Sequence, residues 1–175
     1  MKKIIILLTA IIFIACKQEP KKIVLEQKPS VEIVKQSVIV DSAMVVSARA
    51  EASKIGVEIM KKGGNAFDAM IATELALAVS YPVAGNISGG GFMVYRTQYG
   101  EIGALDYREK APIAAKRDMY LDENGEFISN KSTIGALAVG VPGTIAGIFA
   151  VHEKLGSLPL EEIFAPVIKL ATRGF

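Results

Sequence analysis

Hydrophobic and polar residues change their rhythm several times along this chain, and each change predicts an element. Between Ala48 and Lys62, apolar Ala52, Ile55 and Ile59 recur three to four residues apart. Glu51, Lys54, Glu58 and Lys61 lie outside that stripe. The period predicts a helix with one buried face. Gly63 and Gly64 end it, because glycine tolerates the left-handed geometry of a helix C-terminus. Ser47 is expected to cap its start, and Met44 to Ser47 (MVVS) reads as a short buried strand before it. From Ala66 to Val79 nearly every position is apolar, with Asp68, Thr73 and Glu74 as the exceptions. A helix apolar all round is a buried helix, which predicts a larger body packed around it. Asn65 is its expected N-cap, and Asp68 at the third position favours the positive end. Tyr81-Pro82 closes it.

The pattern then shifts to strands. Gly85 to Gly91 is a glycine-rich turn. Phe92 to Arg96 (FMVYR) and Ile102 to Tyr107 (IGALDY) read as a hairpin around Tyr99-Gly100. Lys116 to Tyr120 is expected as a short helix, and Asp122 to Gly125 as a turn. Gly140-Val141-Pro142-Gly143 opens a helix over Thr144 to Leu155, which Gly156 stops. A last helix covers Pro159 to Thr172, where Pro166 marks either a kink or the true first turn. Strands and helices mixed in this order place the fold in the α/β (α+β) class.

The N-terminus follows a different logic. Met1-Lys2-Lys3 is positive, and Ile4 to Ala15 is an apolar run of about a dozen residues. A bilayer-spanning helix needs about 20, so residues 1–15 read as a signal peptide. Ala15-Cys16 resembles the lipobox of bacterial lipoproteins, which implies that Cys16 is the lipidated first residue of a mature chain in the cell envelope, facing the periplasm or the exterior. Residues 16–43 read as its tether. Lys17, Lys21, Lys22, Lys28 and Lys35 alternate there with Glu19, Glu26 and Glu32, and Pro20 and Pro29 break regular structure.

Composition narrows the chemistry. Twenty Lys+Arg against eighteen Asp+Glu leave a net charge of +2, with no basic stripe for nucleic acid. One His and one Cys argue against a His/Cys metal site and exclude an internal disulfide. Gly89, Gly90 and Gly91 match neither phosphate-binding fingerprint, so no cofactor is expected. They read instead as a close backbone approach beside a cavity. His152 has no nucleophile-bearing motif beside it and reads as structural. Ser88, Thr133 and Thr144 are hydroxyls that could in principle attack a carbonyl.

Five segments share one resemblance. They are Lys62-Gly63-Gly64-Asn65-Ala66-Phe67-Asp68-Ala69, Pro82 to Met93, Asp106-Tyr107-Arg108-Glu109-Lys110-Ala111-Pro112, Gly140-Val141-Pro142-Gly143, and Lys169 to Phe175. In this order they resemble the γ-glutamyltranspeptidases over residues 44–175, as the N-terminal part of the large subunit and an incomplete domain. The resemblance implies an N-terminal nucleophile hydrolase sandwich of two sheets between helix layers, present only in part. It also implies γ-glutamyltransferase and glutathione hydrolase activity on glutathione and similar small molecules, with a small subunit of the same proenzyme as partner. Arg108 would bind the α-carboxylate of the γ-glutamyl group, as a bidentate guanidinium suits. Asp106, two residues earlier on the strand, would hold that guanidinium in position. The nucleophile would be an N-terminal Thr beyond residue 175, so no catalytic residue is expected here, and Ser88, Thr133 and Thr144 are set aside. The chain then reads as a fragment or a truncated product, aggregation-prone when alone because sheet edges and the apolar helix stay uncovered. An acylase of another amide is a close variant. A non-catalytic envelope lipoprotein that keeps the fold as a binding module is the competing class.

Overall fold

A computed structural model describes residues 38–175; the expected signal peptide, Cys16 and most of the tether lie outside the described residues. Helix α1 spans Ala50–Lys61 and α2 spans Ala66–Ser80. Strands β1 (Phe92–Arg96) and β2 (Ile102–Asp106) form an antiparallel ribbon, in register from Phe92 opposite Asp106 to Arg96 opposite Ile102. A single 3-10 turn at Ala136–Ala138 precedes α3 (Thr144–Leu155) and α4 (Leu160–Arg173). This is the mixed class read from the pattern, and among the described residues one ribbon represents the sheets.

α2 is the centre of the core. Ala69, Ile71, Ala72 and Ala76 are buried on it, and they meet Ala52, Ile55 and Ile59 of α1, Ile148 and Val151 of α3, and Ile163 and Val167 of α4. Small residues let the backbones approach. A Cβ on Gly56 of α1 would overlap the Thr73 hydroxyl of α2. The polar residues buried on α2 satisfy themselves locally. Thr73 donates to the Ala69 carbonyl at 2.7 Å and Ser80 to the Ala76 carbonyl at 2.9 Å, as buried hydroxyls must.

The start of α2 follows its capping chemistry. The Asn65 side chain accepts from the amides of Phe67 and Asp68 at 2.8 and 3.0 Å, and Asp68 accepts from the Asn65 amide at 2.9 Å. This is a reciprocal capping box. The same two side chains reach the far end of the fold. Asn65 donates to the Leu155 carbonyl at 2.7 Å, and Asp68 takes the Ser157 hydroxyl at 2.5 Å and its amide at 3.0 Å. The cap of α2 thus also ties down the loop between α3 and α4.

Four local expectations are corrected. Met44 to Ser47 is not a strand: among the described residues none pairs with it, and Val46 is 80% exposed. Extended backbone becomes a strand only when a neighbour completes its hydrogen bonds. The N-cap of α1 is Arg49, with no side-chain cap, while Ser47 Oγ hydrogen-bonds the Arg49 carbonyl and Ser53 Oγ, both at 2.8 Å. Lys116 to Tyr120 forms successive turns rather than a helix. Its side chains are mostly exposed, so no burial supports so short a helix. α4 runs from Leu160 through Pro166 to Arg173, so that proline is not its first turn.

Candidate functional site

The glycine-rich turn between α2 and β1 is organised by one side chain. Asn86 Oδ1 accepts from the Ser88 amide at 2.9 Å, the Ser88 hydroxyl at 2.7 Å and the Gly89 amide at 2.7 Å. Such an Asx arrangement replaces backbone partners the turn cannot supply. The Gly89 carbonyl, now aimed away from the turn, accepts from the amides of Gly143 and Thr144 at 2.8 and 3.0 Å. Those amides are orphan donors at the start of α3, so the turn stands in for a cap there. Lys110 and Val141 exchange reciprocal backbone bonds at 3.1 and 2.8 Å, and the Tyr107 amide donates to the Gly91 carbonyl at 3.0 Å. Three motifs distant in sequence therefore meet: the glycine turn, the segment around Arg108, and Gly140 to Gly143.

The glycines are required by what they touch. A Cβ on Gly90 would lie 2.7 Å from the Arg108 Cα, and one on Gly91 2.9 Å from the Tyr107 ring. On Gly143 and Gly147 it would overlap the Tyr107 carbonyl and ring. Two glycines, Gly91 and Gly147, thus close on the tyrosine ring, and a third, Gly143, closes on its backbone carbonyl. The tyrosine hydroxyl faces Glu74 of α2, 3.4 Å from both carboxylate oxygens. Sequence reading treated Glu74 only as a polar exception and gave Tyr107 no role. Burial pushes the Glu74 carboxyl above its usual range, partly offset by the Tyr107 hydroxyl. The Tyr107 hydroxyl is pushed up to about 12 by burial, then by the charge of Glu74, then by their hydrogen bond. Each partner makes the phenol harder to ionise.

Arg108 follows at the end of β2. Its side chain is 64% exposed, and its guanidinium lies 3.9 Å from the Glu109 carboxylate and 5.7 Å above the Phe92 ring. Asp106 takes a different part in the site from the one expected. Its carboxylate accepts the Arg108 backbone amide at 3.0 Å, so it orders the main chain at Arg108 and leaves the guanidinium to Phe92 and Glu109.

Beside these residues lies a cleft of about 650 Å³. Glu74, Gly89, Gly90, Phe92, Tyr107 and Thr144 are among its lining residues, together with residues 44–48 and Ala66, Met70 and Leu77 of α2. Arg108 is not one of the lining residues; it is related to the cleft through Phe92, which lines it and whose ring lies 5.7 Å below the guanidinium. Thr144 is 2% exposed, the Ser88 hydroxyl is held by Asn86, and Thr133 bonds the Asn130 carbonyl at 3.2 Å in an exposed turn. No hydrogen bond joins any two of these three hydroxyls. His152 Nε2 lies 2.7 Å from the Leu158 carbonyl, a contact between α3 and the following loop. Among the described residues, no three His, Cys, Asp or Glu side chains gather as a metal-ligand set.

Comparison with known proteins gives this geometry its context. A family model described as γ-glutamyltranspeptidase matches residues 52–175. The glutathione hydrolase proenzyme of Pseudomonas sp. (strain A14) is 52% identical over 135 residues, which are 77% of this chain and 24% of that protein. The glutathione hydrolase proenzyme of Escherichia coli (strain K12) is 49% identical over 132 residues, 75% of this chain and 23% of that protein. The crystal structure of Helicobacter pylori γ-glutamyltranspeptidase superimposes with a TM-score of 0.75 at 45% identity, over 79% of this chain and 40% of that chain. The chain spans about a quarter of the length of the curated relatives it matches.

Proposed function

The chain belongs to the γ-glutamyltranspeptidase family, and from that premise we propose that it supplies the carboxylate grip of an enzyme acting on γ-glutamyl amides such as glutathione. In this reading the γ-glutamyl carbonyl is attacked by a Thr at the N-terminus of a small subunit of the same proenzyme. The amide nitrogen leaves with a proton, and the acyl group passes to water or to the amine of an amino acid. Residues 38–175 contribute binding rather than the attacking atom. Arg108 takes the free α-carboxylate in two parallel charge-assisted hydrogen bonds. That fixes the donor so that its γ-carbonyl, at the other end of the glutamyl chain, lies at a set distance.

The observation that supports this reading is the state of Arg108. It projects from a strand end whose backbone is pressed against the glycine turn, yet its side chain is largely exposed. Its ion pair with Glu109 is long and between neighbours in sequence, a kind worth little. Such an arginine is free to take a substrate carboxylate at small cost. Lysine keeps the charge but loses the planar fork. In the full-length protein, Arg108→Lys should therefore raise KM for a γ-glutamyl anilide roughly tenfold or more while kcat changes less. Steady-state kinetics that leave KM where it was would overturn the assignment.

We also propose that Cys16 carries a lipid that holds the protein in a bacterial cell envelope. The positive start, the apolar run to Ala15 and the charged stretch that follows support this. Cys16→Ser should move the protein from the membrane fraction to the soluble one and abolish labelling by a tagged fatty acid. Unchanged fractionation and labelling would count against the anchor.

A further inference from the structure

We propose that Tyr107 is a positioning residue for Arg108, its ring seated among glycines so as to set the backbone from which the guanidinium projects. The inference rests on the reading of Arg108 as the carboxylate-binding residue and deepens it. Tyr107 itself faces into the fold while Arg108, the next residue, faces out. Fixing the first therefore aims the second. The fixation is three-sided. Gly91, Gly143 and Gly147 pack so closely on Tyr107 that a methyl group on any of them would press into its ring or carbonyl. Its amide is bonded to the Gly91 carbonyl at 3.0 Å, and its hydroxyl faces the Glu74 carboxylate at 3.4 Å. On the far side of Arg108, Lys110 is bridged to Val141, and Asp106 holds the Arg108 amide.

A half-buried aromatic ring has two soft torsions, and the close approach of Gly91 at its outer end and of Gly147 at its base restricts them. The surrounding glycines come from three elements: the turn before β1, the loop before α3, and α3 itself. The seat therefore links the end of β2 to the helical layer. Glu74 adds direction, since a hydroxyl facing a carboxylate fixes how far the ring enters. The ring does most of the holding, because it carries the packing, and the hydroxyl adds a smaller share at its 3.4 Å separation.

The test is a double-mutant cycle in the full-length protein with a γ-glutamyl anilide as substrate. Tyr107→Leu should raise KM at least fivefold with kcat within about twofold, while Tyr107→Phe, which keeps the ring, should restore most of the loss. In the Arg108→Lys background the same Tyr107→Leu change should add less than twofold, because nothing remains to be aimed. A general loss of packing would act equally in both backgrounds and would lower kcat as well. Gly147→Ala provides a second variant. It favours the helix but pushes a methyl group into the Tyr107 ring, and should raise KM in the same selective way. If Arg108→Lys raises KM but Tyr107→Leu multiplies it equally in both backgrounds, the positioning role is wrong and the carboxylate grip stands. If Arg108→Lys leaves KM unchanged, the reading of the site fails and this inference goes with it.

Discussion

A carboxylate with no exposed surface needs donors, and Asp68 is the residue where that need is met most fully. Burial alone would raise its pKa, but the Ser157 hydroxyl and the amides of Ser157, Asn65 and Leu158 outweigh that effect. They hold the carboxyl below its ordinary value. A depressed carboxylate contributes stability at pH values above its unfolded pKa of about 3.9, and that contribution is lost as pH falls through the lower folded value. Asp68→Ala should lower the free energy of unfolding by about 2–4 kcal/mol, since it removes charge-assisted bonds and half of a capping box. Urea titration would measure this. Asp68→Asn should flatten the acid limb of a stability-versus-pH curve below about pH 4. A slope as steep as that of the unaltered protein would mean that other carboxylates dominate. Glu74 has the opposite sign: its raised pKa makes stability fall as pH rises past the ordinary carboxylate range, and Glu74→Gln should remove that decline.

At the scale of elements, the helix pairs show why propensity is a poor guide to substitution here. Gly56 lies inside α1, where alanine is intrinsically better by about 1 kcal/mol. Its hydrogen nevertheless faces α2, and a methyl group there would overlap the Thr73 hydroxyl and lie 3.2 Å from the Ala69 carbonyl. The hydroxyl cannot simply turn away without giving up its bond to Ala69. Gly56→Ala should therefore destabilise by about 1–3 kcal/mol despite the gain in propensity. A thermal unfolding midpoint equal to or above that of the unaltered protein would show that α1 can shift outward at no cost. The same logic separates α1 from α2 in the sequence itself. α1 shows one apolar stripe because it has one covered face, whereas α2 is apolar on all sides because α1, α3 and α4 all pack against it.

For the molecule as a whole, the uncovered apolar surface is not where the helix pattern alone places it. α2 is covered by α1, α3 and α4 over most of its surface and borders the cleft through Ala66, Met70 and Leu77. The ribbon is covered on one face only: Met93 and Leu105 pack inward, while Phe92, Val94 and Ile102 are 65%, 79% and 77% exposed. Adjacent exposed apolar residues on a two-stranded ribbon are a surface that self-associates. The 175-residue chain expressed alone should bind a hydrophobic dye and sediment as more than a monomer. Replacing Val94 and Ile102 by Glu and Lys, which stand one pair apart on the same face, should reduce both effects. If dye binding and sedimentation are unaltered in that variant, the sticky surface lies elsewhere.

The four helices, the capping of α2 by Asn65 and Asp68, the hairpin, and the glycine stops were legible in the sequence, because each depends on residues close together along the chain. So was the family, since its motifs are local strings. What the tertiary structure decided was which strings meet. Nothing in the spacing of Asp68 and Ser157, or of Glu74 and Tyr107, announces their contact, because their separation along the chain is closed only by packing. Tyr107 read as one more strand residue until Gly91 and Gly147 closed on its ring and Gly143 on its carbonyl, and Met44 to Ser47 read as a strand because propensity cannot report a missing neighbour. Local chemistry fixes where elements begin and end, but the close approach of backbones, which glycine permits at several distant positions at once, sets the geometry around Arg108.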